Sequence, residues 1–314
     1  MILSVSRRTD IPTYYSAWFY NRIKEGFVLV RNPMNIHQIS RIKITPDVVD
    51  GIVFWTKNPI PMIKRLDELK NYSYYFQFTI TPYGKDVEPN IPDKNKVILP
   101  AFKKLSDMTG PDRVIWRYDP IMISGRYQIE YHLRAFGKIA SELRGYTHKV
   151  IISFIDIDYR MVKSNIKKLD LRPFPEESQM ELSANLAKMA QDHGIAIDTC
   201  AEKIDLQQYG IGHARCIDDR LFSKLLCCQL DVVKDKTQRA ECGCAASVDV
   251  GAYNTCLNGC LYCYANHSQN TAAGRFEKHN PLSPLLFGEV GPEDKISDRA
   301  VKSCRVVQRG LFDR

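Results

Sequence analysis

The first 199 residues contain no cysteine, and all ten cysteines lie from Cys200 onward. Also missing are a Gly-rich phosphate loop, an internal repeat and a low-complexity tract. Those absences argue against the nucleotide-binding glycine fingerprints, solenoid architectures and compositionally biased chains. At the start, MILSVSRRTD, arginines interrupt the apolar run after six residues, so neither a signal peptide nor a membrane span is expected there. The sequence therefore predicts a cytoplasmic protein with no membrane partner. In a reducing compartment, late-clustered cysteines are a poor disulfide framework and favour metal binding.

What is present describes a folded chain. With 44% hydrophobic, 10% aromatic and 25% charged residues, disorder is excluded as a description. A length of 314 residues suits one large domain, two ordinary ones, or an α/β barrel with an extension. The excess of 44 Lys+Arg over 36 Asp+Glu, a charge of +8, attracts nucleic acid or anionic cofactors only weakly because it is spread over the whole length.

Seven β-branched or aromatic runs, each ending in polar residues, read as strands: 2–10, 27–33, 51–59, 74–82, 113–120, 149–156 and 195–202. Helical spacing follows several of them, as at Trp18, Phe19 and Ile23, at Met62, Leu66 and Leu69, at Leu133, Phe136, Ala140 and Leu143, and at Leu182, Leu186 and Met189. The expected fold is α/β, a (β/α) barrel-like structure of TIM type or a partial barrel. Its site should lie at the carboxyl ends of parallel strands. Arg7, Arg8, Asp10, Arg31, Asn32, Lys57, Asn58, Gln77, Thr79, Arg117, Asp119, Asp156 and Glu202 would converge there. Near residue 203 the rhythm gives way to cysteines, glycines and charged turns. Residues 1–202 are accordingly read as the barrel-like core and 203–314 as a part that completes and caps it.

The stretch CLNGCLYCYAN places Cys256, Cys260 and Cys263 at C-x3-C-x2-C spacing. Three thiolates on one loop can hold three irons of a 4Fe-4S cluster and leave the fourth iron open. A closed zinc site would need a fourth donor, for which His267 is nearest. Cys200, Cys216, Cys242 and Cys244 form a second set of four thiols suited to another iron-sulfur cluster or to zinc. Adjacent Cys227 and Cys228 do not easily share a metal. His213 and His279 read as surface residues of turns.

The C-x3-C-x2-C loop is similar to that of the radical S-adenosylmethionine enzymes, with Tyr262 as an aromatic cover. That resemblance implies an enzyme that binds a 4Fe-4S cluster and S-adenosylmethionine, generates a 5'-deoxyadenosyl radical and abstracts hydrogen from a substrate. Those enzymes carry the loop near the N-terminal side, after the first strand, whereas here it comes late. A closed barrel reconciles the two if a strand near 247–253 lies beside the first strand. Lys57, Arg117, Asp119 and Glu202 are then candidate catalytic residues. Arg7, Arg8, Asp10, Asn58 and Tyr262 are candidates for cofactor binding, and a flavodoxin- or ferredoxin-type reductant is the expected partner.

SRRTDIP (6–12), VRNPMN (30–35), FWTKNP (54–59), TPYG (81–84), WRYDPI (116–121), TCAE (199–202), KDKTQR (234–239) and the cysteine loop together resemble the bacterial domain-of-unknown-function 1848 family over essentially the whole chain. The resemblance implies a C-terminal cysteine cluster of the radical S-adenosylmethionine kind and leaves the substrate open, small molecule or nucleic acid. A further likeness, in YCYA and in the strand end carrying Lys57 and Asn58, is to spore photoproduct lyase. It implies a DNA repair enzyme as one alternative. A zinc-stabilised nucleic-acid-binding protein is the other.

Overall fold

The computed structural model describes residues 1–158, 162, 163, 167 and 169–306, so the last eight residues of the expected C-terminal part lie outside the described set. Its strands in chain order are β1 (Ile2–Val5), β2 (Phe27–Asn32), β3 (Asn35–Lys43), β4 (Gly51–Thr56), β5 (Tyr74–Thr79), β6 (Val114–Ile121), β7 (Lys149–Phe154), β8 (Ala196–Thr199), β9 (Gly212–His213), β10 (Ser247–Asp249) and β11 (Lys295–Asp298). Eight of them form one all-parallel sheet in the order β10-β1-β4-β5-β6-β7-β8-β9.

Side chains alternate across this sheet with the period of two that a strand imposes. Leu3, Ile52, Phe54, Phe76, Phe78, Trp116 and Ile152 point to one face and join the main core. Helices cover that face. The helix Ser16–Glu25 brings Phe19 edge-on to Phe54 with ring centroids 5.4 Å apart. Ile129–Leu143 buries His132, Phe136, Ile139, Ala140 and Leu143, one apolar stripe at helical spacing. Its Phe136 stacks on Trp116 at 4.8 Å. Removing such a buried ring costs about 3–5 kcal/mol.

The opposite face has its own core, in which Ile2, Val53, Tyr75, Ile115 and Ile151 pack against Ala214, Ile217, Phe222 and Leu230. Chain from beyond residue 200, with Phe222 of the helix Asp219–Leu226, thus covers the face that the earlier helices leave free. Further along each strand that face turns polar, through Ser4, Gln77, Arg117 and Ser153.

One expected strand lies elsewhere. Residues 27–32 leave the parallel sheet and form an antiparallel hairpin with β3, which β11 extends. Pro33 and Met34 lie between the paired Asn32 and Asn35, so the polar residues after this run serve a tight turn. Arg31 and Asn32 therefore do not reach the carboxyl ends of the main sheet; Arg31 pairs with Asp294 at 2.6 Å.

The strand expected near 247–253 is the three-residue β10, paired in parallel with β1 through Ile2–Ser247, Leu3–Val248 and Ser4–Asp249. Among the described residues no helix is long and apolar enough to cross a membrane.

Candidate functional site

A cavity of about 390 Å³ opens at the carboxyl ends of the parallel strands, and its wall runs from the residues after β10 to those after β8. Behind the wall residues Ser6 and Arg7 lies Asp249, which accepts hydrogen bonds from Ser4 Oγ (2.8 Å), Ser6 Oγ (2.6 Å), Arg7 N (2.9 Å) and Gly251 N (3.0 Å). These bonds fasten the ends of β1 and β10 together. Gly251 is needed for the close approach, because a Cβ there would lie 2.0 Å from Ser6 Oγ.

Asp10 ties the next strand in. Its carboxylate caps the helix Ile11–Tyr14 through Thr13 N (3.0 Å) and accepts from Thr56 Oγ1 (2.8 Å), Lys57 N (2.8 Å) and Asn258 Nδ2 (3.1 Å). Burial raises the carboxyl against the pull of these donors. Asp10 is thereby a structural hub between the β1 end, the β4 end and the cysteine loop.

The loop from Cys256 to Cys263 lies along this wall. Asn258 Oδ1 accepts from Tyr14 OH at 2.8 Å, Leu261 N donates to Val87 O at 3.0 Å, and Asn90 Nδ2 donates to Leu257 O at 2.6 Å. Gly259 takes φ +73°, a left-handed conformation that places Cys260 back toward the cavity. All three thiols line the cavity, and burial raises each of them, Cys260 to about 12. Lys57 opposes that rise at Cys260 and Cys263.

Beside Cys260 sits a buried charge group. Glu88 Oε1 accepts from Lys57 Nζ at 2.8 Å, and the carboxylate also receives Lys94, Tyr262 OH and Thr81 Oγ1 (2.8 Å). Burial alone would raise the Glu88 carboxyl, but Lys57 and Lys94 bring it down to about 2. Lys57 also lies 5.3 Å from the centroid of the Tyr262 ring. It is a positive charge held between the cysteine loop and a fixed carboxylate.

Across the cavity Arg117 pairs with Asp119, which also accepts from Ser153 Oγ. Burial alone would raise the Asp119 carboxyl, but Arg117 and Ser153 bring it below its ordinary value. Trp55 lies between two guanidinium groups, Arg7 at 5.3 Å and Arg117 at 5.2 Å from its ring centroid. Burial raises Glu202 to about 7 against a hydrogen bond from Phe154 N at 2.9 Å.

The second cysteine set also converges. Cys216 Sγ donates to Cys200 Sγ at 3.3 Å, and Cys244 Sγ accepts from Ile217 N at 3.5 Å, one residue beyond Cys216. Interaction with Cys244 lowers the Cys242 thiol to about 7. As placed, no three His, Cys, Asp or Glu side chains among the described residues stand at the geometry that holds one metal ion.

Of the expected site residues, Arg7, Arg8, Asp10, Lys57, Arg117, Asp119, Tyr262 and all seven cysteines line the cavity. Asn58 and Glu202 are not part of its wall. Asn58 Oδ1 instead accepts from Ile60 N at 3.2 Å, a local turn at the start of the helix Ile60–Ile63. Arg8 stacks over Tyr253 at 5.1 Å and reaches Gly251 O at 3.4 Å, so it also braces the β1–β10 junction. His267 is exposed and outside the cavity wall. Glu88, Asp249 and Trp55 escaped the sequence reading. Glu88 follows the quoted TPYG, Asp249 sits in the short run before the cysteine loop, and Trp55 was counted only as strand body.

These features define an α/β protein whose parallel sheet carries a polar, cysteine-walled cavity at its strand ends. Residues 2–265 match the family described as Domain of unknown function (DUF1848), and the chain belongs to that family. No curated protein matches the chain.

Proposed function

We propose that this protein is a radical S-adenosylmethionine enzyme whose cluster is held by Cys256, Cys260 and Cys263. The observation that carries the reading is the company these thiols keep. Seven buried polar side-chain atoms lack a partner among the described residues, and three of them, Arg7 Nη2, Thr9 Oγ1 and Asn266 Oδ1, belong to residues of the same cavity wall. Buried polar groups are ordinarily satisfied, so donors and acceptors left over beside three thiols suit a polar ligand seated there.

The donor set fits a cubane better than a closed zinc site. Cluster thiolates each bind a different iron, so their sulfurs need not converge on one point. The exposed His267 offers no fourth ligand on the cavity wall. When bound, the cluster and S-adenosylmethionine supply a hydrogen-abstracting radical. The chain's own part is to bind, orient and exclude water. Asp10 and Asn258 fix the loop, and Lys57 offsets the negative charge that metal-bound thiolates bring. Tyr262 covers the cluster side. Arg7, Arg8, Arg117 and Asp119 present charge to the cofactor and to the substrate, a small molecule or a nucleic acid base. The wall joins residues after β10 to residues after β8, which supports reading the sheet as a partial (β/α) barrel with 203–314 completing and covering it.

Anaerobic reconstitution with iron and sulfide tests the proposal. We expect about four irons per chain at the loop, an electron paramagnetic resonance signal after chemical reduction that changes on adding S-adenosylmethionine, and loss of both in Cys260→Ala. A chain that takes up no iron and holds zinc through Cys256, Cys260 and Cys263 would overturn it.

A further inference from the structure

We infer that Cys200, Cys216, Cys242 and Cys244 form a second, tetrathiolate zinc site in the wall of the cavity, electrically balanced by Arg7 and Arg117. The four residues come from three places in the fold: the end of β8, the turn before the helix Asp219–Leu226, and the segment leading to β10. Hydrogen bonds fasten each place. Cys200 N donates to Ile152 O at 2.8 Å. The Cys216 carbonyl accepts from both Tyr75 OH (2.7 Å) and Gln77 Nε2 (2.8 Å) of β5. Ala245 N donates to Ile217 O at 3.0 Å, and Ile217 N to Cys244 Sγ at 3.5 Å. Elements far apart in sequence thus bring four thiols to one region of the cavity wall, with Arg117 beside them.

The spacing of the sulfurs selects the occupant. Zinc with Zn–S bonds of about 2.3 Å sets the sulfurs of a tetrahedron about 3.8 Å apart. A cubane spreads its cysteines over four irons, with wider separations. One pair here, Cys200 and Cys216, stands at 3.3 Å, nearer the zinc spacing than the cubane one. As placed, the four do not form a closed set, so the thiols must turn inward to enclose an ion. Charge gives the second, independent argument. Four thiolates around a divalent ion carry two excess negative charges, and two arginines face this group. Arg117 Nη1 donates to Cys216 Sγ at 3.0 Å, and the electrostatic partners of Arg7 include Cys244 and Cys216. A buried guanidinium cannot shed its proton, so each needs negative charge nearby. Asp119 pairs with Arg117 and Asp235 lies 3.8 Å from Arg7, so each guanidinium faces one carboxylate besides the thiols.

The test uses the full chain with Cys256, Cys260 and Cys263 all changed to alanine, so that it does not depend on the radical enzyme proposal. We expect about one zinc per chain by elemental analysis. On replacement by cobalt(II), we expect the intense visible bands of a tetrahedral thiolate-bound ion. Adding Cys242→Ser and Cys244→Ser should lower bound zinc at least tenfold, with circular dichroism reporting whether the fold persists. The cobalt spectrum of the triple variant stands by itself if the further variant fails to fold. Absence of zinc from the triple variant, iron-sulfur absorption persisting in it, or zinc undiminished by the two serine changes would each overturn the inference.

Discussion

The two cysteine groups share one cavity but are built in opposite ways. In the loop group, Cys256, Cys260 and Cys263 occupy eight consecutive positions, and each thiol meets a different neighbour. Asp10 lies toward Cys256, Lys57 and Glu88 toward Cys260, and Cys263 Sγ accepts from Ala265 N at 3.3 Å. The other group draws four residues from three segments, with Cys216 Sγ bonded to Cys200 Sγ and receiving Arg117, and Cys244 Sγ receiving Ile217 N. A contiguous loop can move as a unit to receive a large inorganic group. Thiols held by separate strands and turns are set by the whole fold and suit a compact, fixed occupant. The contrast suggests two occupants of different size in a single wall.

Independence of the two groups can be broken by removing the charges that serve only one of them. The largest effect is expected from Glu88→Gln, which leaves Lys57 and Lys94 buried without their shared counter-charge and should cost about 3–5 kcal/mol in urea unfolding. Because the Glu88 pKa is lowered to about 2, its contribution is fully present above the usual carboxylate range and disappears as pH falls from about 4.5 toward 2. The variant should also lose iron at the loop while zinc at the other group is kept; equal loss of both metals breaks the comparison.

On the opposite side, Arg117→Met strands Asp119 and removes the donor to Cys216. We expect about 2–3 kcal/mol of destabilisation by thermal unfolding and a lower zinc content with loop iron retained. Glu202→Gln acts through pH. The raised folded pKa means that the native chain binds the extra proton, so this carboxyl makes stability fall as pH rises from about 4.5 to about 7. The variant should flatten that slope, gaining on the order of 2–3 kcal/mol relative to the parent above pH 7. Smallest is Gly259→Ala, where φ +73° and a Pro89 Cγ 2.9 Å from the added Cβ should cost about 1–2 kcal/mol. Iron uptake at the loop, measured by elemental analysis, should slow while zinc is unchanged.

Much of this was readable in the sequence where the signal is local. The C-x3-C-x2-C spacing sits in one loop, and the strand ends announce themselves by an apolar run closing on charge, as in RVIWRYDP. β2 misled for the same reason. FVLVRNP has the composition of a buried parallel strand, and nothing within it reveals that Pro33 and Met34 turn the chain back into a hairpin. Glu88 was missed because its meaning comes from Lys57 and Lys94, which reach it from different segments. The convergence of Cys200, Cys216, Cys242 and Cys244 was suggested only by composition, since their approach depends on the carbonyl of Cys216 being held by Tyr75 and Gln77 of β5. Asn58 lies outside the cavity wall because its side chain caps a local turn at Ile60, a choice that a polar residue at a strand end does not announce.

The pairing of β1 with β10 bears on how the molecule comes to be made. Ser4 meets Asp249 across 245 positions of chain. At about 5–20 residues per second, a ribosome needs roughly 12–50 s to travel that distance. Throughout that interval β1 waits with one unpaired edge, an invitation to wrong partners that a long closing loop makes slow to withdraw. The cysteine loop emerges after β10, so its thiols reach the strand ends only once the rest of that wall is already translated. Pairing of β1 with β10 is thereby a late step in the making of the chain, and until then the first strand keeps one open edge.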